Sequence, residues 1–122
     1  MSNAYEADLV CQSFVADTDF TDKQYYAVDI DTNEEIFLAS DAGDYMLGVL
    51  QDEPAEAGRV GLVALEGITK AVGGAAINAG AKVQVDNGGK FKTYVSGARA
   101  GIAMTPCGGD GQLFSLKIDR EV

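Results

Sequence analysis

The stretch that decides the fold is residues 76–95, "AINAGAKVQVDNGGKFKTYV", and its pattern predicts one β-hairpin. Apolar and polar residues alternate on both sides of a glycine-containing turn, which is typical of paired strands with one buried face. A three-residue loop at 87–89 pairs Val85 with Phe91, Val83 with Thr93, Gln84 with Lys92 and Asp86 with Lys90. This register brings apolar side chains together and opposite charges together, whereas a two-residue turn at Asn87-Gly88 would mix the two faces.

The same period of two recurs along most of the chain. The predicted strands cover residues 24–31, 35–39, 45–50, 59–72, 82–86, 90–94, 100–104 and 113–118. Gly61 and Gly67 are expected to mark bulges or kinks in the longest of them. Apolar residues nowhere recur at helical spacing over ten positions, so at most one short helical turn fits, around 75–79. We therefore predict an all-β protein, a small β-sandwich or barrel-like domain of about eight strands.

The N-terminal segment differs from the rest. Residues 1–23 contain scattered apolar side chains without clear alternation, and we predict that they form an extended N-terminal arm, followed by a single β domain over 24–122. One strand around 10–15 fits the pattern within this segment. The alternative, that the segment is simply the first strand of the protein's own sheet, stays open.

Size and charge limit the classes of function. The chain has 122 residues, which suits one domain, and it contains no apolar run of 18 residues and no secretory signal pattern. Residues 1–56 hold 14 acids and one base, whereas residues 57–122 hold five acids and eight bases. Such an acidic chain is a poor partner for nucleic acid, which binds cationic side chains. The acidic half either serves solubility or meets a basic surface, for example the basic half of a neighbouring copy.

The residues offer little for catalysis or metal binding. There is no histidine, so general acid–base and cysteine-based mechanisms lack their usual partner. Asp29 to Glu35 opens like a calcium loop, but Glu34 stands where glycine is required and Ser40 where the bidentate glutamate belongs. Asp29 and Asp31 are instead expected on the polar face of strand 24–31, where carboxylates simply ionise. We predict no catalytic residue, no cofactor and no metal.

The two cysteines, Cys11 and Cys107, lie 96 positions apart in the sequence. A disulfide between them is one option. Two free thiols, as in a reducing cytoplasm, are the option we favour.

The order of elements resembles the small decoration, or cement, proteins of tailed-bacteriophage capsids. The similar segments are "GVLQDEPAEAGRVGLVALEGITKAVGGAAINAGAKVQVDNGGKF" and "SGARAGIAMTPCGGDGQLFSLKI", and the similarity covers about residues 45–119. The matching anchors are Gly48, Gly58, Gly67, Ala79-Gly80, Gly89, Gly101-Ile102-Ala103 and Gly111. The loop "TPCGGDG" departs from the Ala/Ser-rich loop that is frequent in that family.

The resemblance implies a non-enzymatic structural role. It implies binding to the outer surface of the assembled head at capsomer junctions, with the major capsid protein as partner and with association into homo-oligomers, typically trimers. It also implies location in the virion after synthesis in the host bacterial cytoplasm, with no nucleic acid or membrane partner and no cofactor. Within this reading, the arm is expected to cross onto the shell or a neighbouring subunit, with Leu9, Val10, Phe14 and Phe20 as apolar contacts.

The alternative function is a β-sandwich ligand-binding module that recognises carbohydrate. Tyr25, Tyr45 and Tyr94 would then be exposed and stack on sugar rings. Packing in the core or at a sheet edge explains the same tyrosines.

Overall fold

The computed structural model describes residues 4–120 and is almost entirely β-structure within that range. Its strands are β1 (Ala7–Ala16), β2 (Ala27–Ile30), β3 (Glu35–Leu38), β4 (Gly48–Leu50), β5 (Val60–Val72), β6 (Lys82–Val85), β7 (Phe91–Thr93), β8 (Gly101–Ala103) and β9 (Leu113–Ile118). The all-β prediction is confirmed, with nine strands among the described residues. No helix within residues 4–120 has the length and hydropathy needed to cross a bilayer.

The hairpin predicted from the sequence is confirmed in register and in loop length. β6 and β7 pair Val83 with Thr93, Gln84 with Lys92 and Val85 with Phe91. The loop Asn87–Gly89 forms a 3₁₀ turn in which Gly88 and Gly89 both have positive φ. Glycine is favoured at these two positions because side chains with a Cβ rarely adopt that conformation. This turn is the short helical element of the chain, so the expected site at 75–79 was wrong.

The first four strands and the start of β5 form a closed ring. The order β1-β3-β2-β4-β5 is completed by direct pairing of β1 with β5, so that β1 has a partner on both sides. β1 runs parallel to β3 and antiparallel to β5. Residues 7–16 are therefore part of the protein's own sheet, which corresponds to the alternative that the sequence left open. We call this ring the first barrel.

The second half of β5 continues the sheet into another ring. β5 pairs with β9, and the order continues through β8 and β6 to β7. A parallel bridge between Gly73 and Phe91 brings β7 back against the end of β5. We call this ring the second barrel. β5 is long enough to serve both barrels, and its length matches the prediction of a strand over 59–72.

Each barrel has its own apolar cluster, and β4 and the start of β2 are buried on both faces between them. Val28 of β2 and Leu50 of β4 belong to the first cluster, whereas their chain neighbours Ala27 and Val49 belong to the second. The prediction that the face of β2 carrying Ala27 is exposed and polar was wrong at this position, because Ala27 is fully buried. A two-residue period cannot reveal that a second core covers the other face.

The charge pairing expected across the hairpin also differs from the structure. The backbone N–H of Asp86 donates to the carbonyl of Lys90 at 2.7 Å, as the predicted register requires. The Nζ of Lys90, however, forms its ion pair with Asp110, whose Oδ1 lies 2.8 Å away. Asp86 is instead 3.9 Å from the Nζ of Lys92. The pairing with Asp110 arises from the loop between β8 and β9, a contact that hairpin register alone does not determine.

Candidate interaction surface

The four contact residues proposed from the sequence lie in or just after β1, and the structure gives them different environments. Val10 is 51 % exposed, Leu9 is half-buried, and Phe14 is half-buried against the first cluster. Phe20 is only 1 % exposed and belongs to that cluster. In this structure Val10 therefore presents the most accessible of the four side chains, and Phe20 holds the segment to its own barrel.

Hydrogen bonds fix the segment around Phe20 as firmly as its side chain does. The N–H of Phe20 donates to the carbonyl of Pro54 at 2.8 Å, and the N–H of Lys23 donates to the carbonyl of Phe20 at 2.9 Å. One residue earlier, Asp19 accepts the N–H of Thr21 at 2.7 Å. These bonds form a compact turn that returns the chain to β2.

β1 follows the inward and outward alternation of a barrel wall. Phe14 pairs with Gly61 of β5. A Cβ on Gly61 would contact the apolar side chains of Ile36 and Leu50, so this face of Gly61 is directed into the first cluster. Glycine at this position leaves room for the aromatic ring of Phe14 next to the core. Gly61 pairs in register, so the expectation of a bulge there was wrong. The next residue, Val15, consequently points away from the barrel.

The outward side of the β1–β5 ladder carries several exposed apolar side chains. Val15 pairs with Val60, and Leu62 pairs with Ser13 two residues further along. Val15 is 36 %, Val60 57 % and Leu62 38 % exposed, and Val10 lies further along the same ladder, opposite Glu66. Paired residues on one face of an antiparallel ladder place their side chains in contact. We call Val10, Val15, Val60 and Leu62 the apolar face.

The apolar face ends at a pronounced bend. Register shifts on both sides of Val10 accompany positive φ at Asp8 and at Gly67, which is the bulge predicted from the sequence. A Cβ on Gly67 would collide with the backbone carbonyl of Asp8, so only glycine fits. Beyond the bend, the backbone N–H and carbonyl of Tyr5 both bond the hydroxyl of Ser115 and attach the start of the chain to the second barrel.

The surroundings of the apolar face are acidic. Glu35 pairs with Val15 on the β3 side, and Glu66 pairs with Val10 on the β5 side. Cys11, between them along β1, is exposed and free. Burial, and then the charge of Glu6, raise the pKa of the Cys11 thiol, which therefore favours its protonated form.

The carboxylates considered for metal binding serve the backbone instead. Asp31 accepts the N–H groups of Asn33 at 2.9 Å and Glu35 at 3.0 Å, and thereby closes the turn between β2 and β3. Among residues 4–120, no three His, Cys, Asp or Glu side chains converge closely enough to hold a metal ion. Cys107 is free and buried in the second cluster, whereas Cys11 is exposed on β1 of the first barrel.

The three tyrosines considered for carbohydrate binding do not form one platform. Tyr45 is 57 % exposed, but Tyr25 is half-buried against the second cluster. Tyr94 is also half-buried, and its hydroxyl donates to the carbonyl of Gly97 at 2.9 Å. The expectation that all three are exposed was wrong for Tyr25 and Tyr94.

Sequence reasoning placed Val60 and Leu62 in a strand but did not assign them to a surface. The available signal was the run Val60-Gly61-Leu62-Val63, which is apolar on both faces of an extended strand. A strand that is apolar on both faces is either buried on both sides or presents one face to a partner. Only the pairing with β1 shows that this side of the first barrel is exposed.

A comparison with known protein families finds one described as phage cement protein, whose model matches residues 14–118. The match begins well before residue 45 and includes the acidic segment that the resemblance read from the sequence did not cover. A comparison with curated proteins gives no match.

Proposed function

Because the chain belongs to the phage cement protein family and is thus a capsid-associated component of the phage virion, we propose that it binds the outer surface of the assembled head at capsomer junctions and stabilises the shell. The family match over residues 14–118 carries this proposal. The role requires a rigid scaffold and an accessible binding surface, and it requires no reactive group. We therefore propose a non-enzymatic function.

A cement protein of this kind stabilises a shell through many contacts of moderate strength, one set at each binding site. A shell under internal pressure fails where neighbouring subunits separate, and a protein that bridges two of them must lose its own contacts before they part. An interface of ordinary size, about 1,600 Å² in total, suffices at each site because many such sites act together. A rigid closed barrel transmits the load better than a flexible segment would.

We propose that the apolar face is part of the surface that contacts the major capsid protein. It combines Val10, the exposed member of the contacts proposed from the sequence, with Val15, Val60 and Leu62. Isolated exposed apolar residues need no explanation, but Val15, Val60 and Leu62 are neighbours in one ladder, and such groups mark protein interfaces. Phe14 packs against the first cluster behind β1, Leu9 is half-buried, and Phe20 would reach a shell only by leaving its own core.

We further propose that copies associate as trimers at these sites and that the chain is made in the cytoplasm of the bacterial host before it joins the virion. Both proposals extend the family role. The solution mass of the free protein, and its mass when bound to heads, would test the first.

The test of the contact surface uses Val60→Asp. We expect co-sedimentation with emptied phage heads to fall by about tenfold or more, because a desolvated carboxylate in an apolar interface costs more than about 1.4 kcal/mol. Val95→Asp is the matched control, since Val95 is 73 % exposed and lies outside the apolar face. Thermal unfolding of both variants should stay within a few degrees of the wild type.

Two results would contradict these proposals separately. If the wild type binds neither procapsids nor expanded heads, the proposed head-binding function is wrong. If the wild type binds and Val60→Asp binds equally well, the function stands and the apolar face is not the contact. Binding to expanded heads alone would identify a clamp that acts after expansion.

A further inference from the structure

The charge imbalance of the sequence becomes a spatial separation in the fold. Residues 4–66, which include the first barrel, hold 15 acids and two bases, whereas residues 67–120, which include most of the second barrel, hold three acids and seven bases. Of the ion pairs among the described residues, one lies in the acidic part, between Arg59 and Glu56. Most of the acidic charge therefore lacks a cationic partner within its own part of the molecule.

Four strands of the second barrel carry a row of cations and aliphatic side chains on their outer face. Ile102 of β8 pairs with Lys82 of β6 on one side and with Lys117 of β9 on the other, and Lys117 pairs in turn with Ile68. Lys82 and Lys117 are exposed, and neither belongs to an ion pair among residues 4–120. Neighbouring strands lie about 4.8 Å apart, so the two lysines flank Ile102 about 10 Å from each other. We call Ile68, Lys117, Ile102 and Lys82 the lysine strip.

The end of the first barrel carries the opposite charge. Asp17 follows β1 and donates its backbone N–H to Ile36, at the point where the β2–β3 turn supplies Asp31 and Glu34. Glu34 donates its backbone N–H to the carbonyl of Asp31 at 3.1 Å, and none of the three carboxylates belongs to an ion pair among residues 4–120. Partial burial, followed by the charge of Asp31, raises the pKa of Asp17. We call Asp17, Asp31 and Glu34 the acidic pole.

The lysine strip and the acidic pole cannot neutralise each other within one copy. β5 connects the two regions, because its residue Val60 pairs with Val15 near the pole and its residue Ile68 pairs with Lys117 in the strip. Eight residues of extended chain span up to about 26 Å, which exceeds the Debye length of about 8 Å at physiological salt. Only another molecule can bring the two surfaces into contact.

We infer that the lysine strip of one copy docks on the acidic pole of a second copy, in a head-to-tail contact. Two copies of a chain with net charge −10 repel each other in most orientations. The head-to-tail orientation places the exposed lysines against carboxylates that belong to no ion pair among residues 4–120 of their own copy, while Ile102 contributes apolar area between them. The contact is heterologous, so it builds a ring or a chain and not a two-fold dimer. It involves a second copy and not the shell, and it uses a surface other than the apolar face.

The experiment is sedimentation velocity on the purified full-length protein without heads. We expect association at about 20 mM salt and its loss at about 500 mM, where the Debye length falls from about 20 Å to about 4 Å. Lys117→Glu should weaken association by about tenfold, whereas Lys23→Glu, the matched change of one lysine in the first half of the chain, should leave it within about twofold. Circular dichroism confirms that each variant is folded.

A mixing experiment gives the decisive result. The strip variant Lys82→Glu/Lys117→Glu and the pole variant Asp17→Lys/Glu34→Lys should each fail to self-associate. Each keeps one native surface, however, so a mixture of the two must form a complex. A mixture that stays monomeric, a strip variant that associates like the wild type, or a wild type that is monomeric at low salt would each overturn the inference. Val60→Asp should still self-associate, which separates this result from a failure of head binding.

Discussion

Replacing Phe20 by alanine should destabilise the isolated protein by about 3–5 kcal/mol, the usual cost of removing a phenylalanine side chain from a packed core. The side chain is 1 % exposed within the first cluster, and backbone hydrogen bonds to Pro54 and from Lys23 prevent the turn from collapsing into the cavity. A domain of 122 residues has a total stability of about 6–18 kcal/mol, so the variant should still fold.

The expected change in melting temperature follows from the size of the chain. Unfolding entropy scales to about 0.26 kcal/mol/K for 122 residues, so the loss corresponds to a decrease of about 12–20 °C. Differential scanning calorimetry, together with urea unfolding at 25 °C, measures both quantities. Val95→Ala is the control and should stay within about 0.5 kcal/mol of the wild type, because this side chain is 73 % exposed.

This measurement separates the two interpretations of the N-terminal segment. If the segment is an arm that inserts Phe20 into a shell or a neighbour, the free protein should lose almost no stability, and only head binding should fall. An unchanged melting temperature for Phe20→Ala would therefore refute the assignment of this residue to the protein's own core.

Three further changes test other parts of the fold. Gly67→Ala should destabilise by more than about 1 kcal/mol in urea unfolding, because positive φ and the carbonyl of Asp8 exclude a Cβ; wild-type stability would contradict the bend. Gln84→Leu should cost about 1–3 kcal/mol, because the Oε1 of this buried side chain accepts two backbone N–H groups of the loop after β7. Those two amides should then exchange faster with deuterium, and unchanged protection would show that water or another group replaces the glutamine. Asp17→Asn tests the raised pKa of Asp17. Burial and then the charge of Asp31 hold the pKa of this carboxyl in the folded protein above its value in the unfolded chain. The wild type therefore loses stability as the pH rises from the unfolded-state pKa through the folded-state pKa. The variant should melt higher than the wild type at pH 7 and equally below about pH 3.5, and an advantage that persists in acid would contradict this cause.

The described structure shows how far the residue pattern reaches. The β6–β7 hairpin was predictable in register because Asn87-Gly88-Gly89 and the alternation on both sides act over a few residues, and local preferences agree with the final pairing. The bend at Gly67 was predictable for the same reason, since an isolated glycine in a strand pattern indicates a bulge. Neither conclusion required knowledge of which strands lie side by side.

The candidate surface was only partly predictable. Val10 was identified because an apolar side chain in a poorly patterned segment needs a partner, and it is exposed in the structure. Val60 and Leu62 were not identified, because they become a surface only when β1 pairs with β5 about 50 residues away. Phe20 has the same apolar character as Val10 but lies in the core, and composition does not distinguish the two situations.

By itself, the sequence determined that the chain is all-β, where most strands begin and end, and that acids and bases occupy different halves. Those properties follow from side-chain alternation, turn residues and composition, which act locally or simply add up. The tertiary structure alone decided that β1 closes the first barrel, that β4 and the start of β2 are buried on both faces, and that the two charged regions lie along different parts of β5. These features depend on contacts between residues far apart in the chain, and a two-residue period does not specify which strand becomes a neighbour.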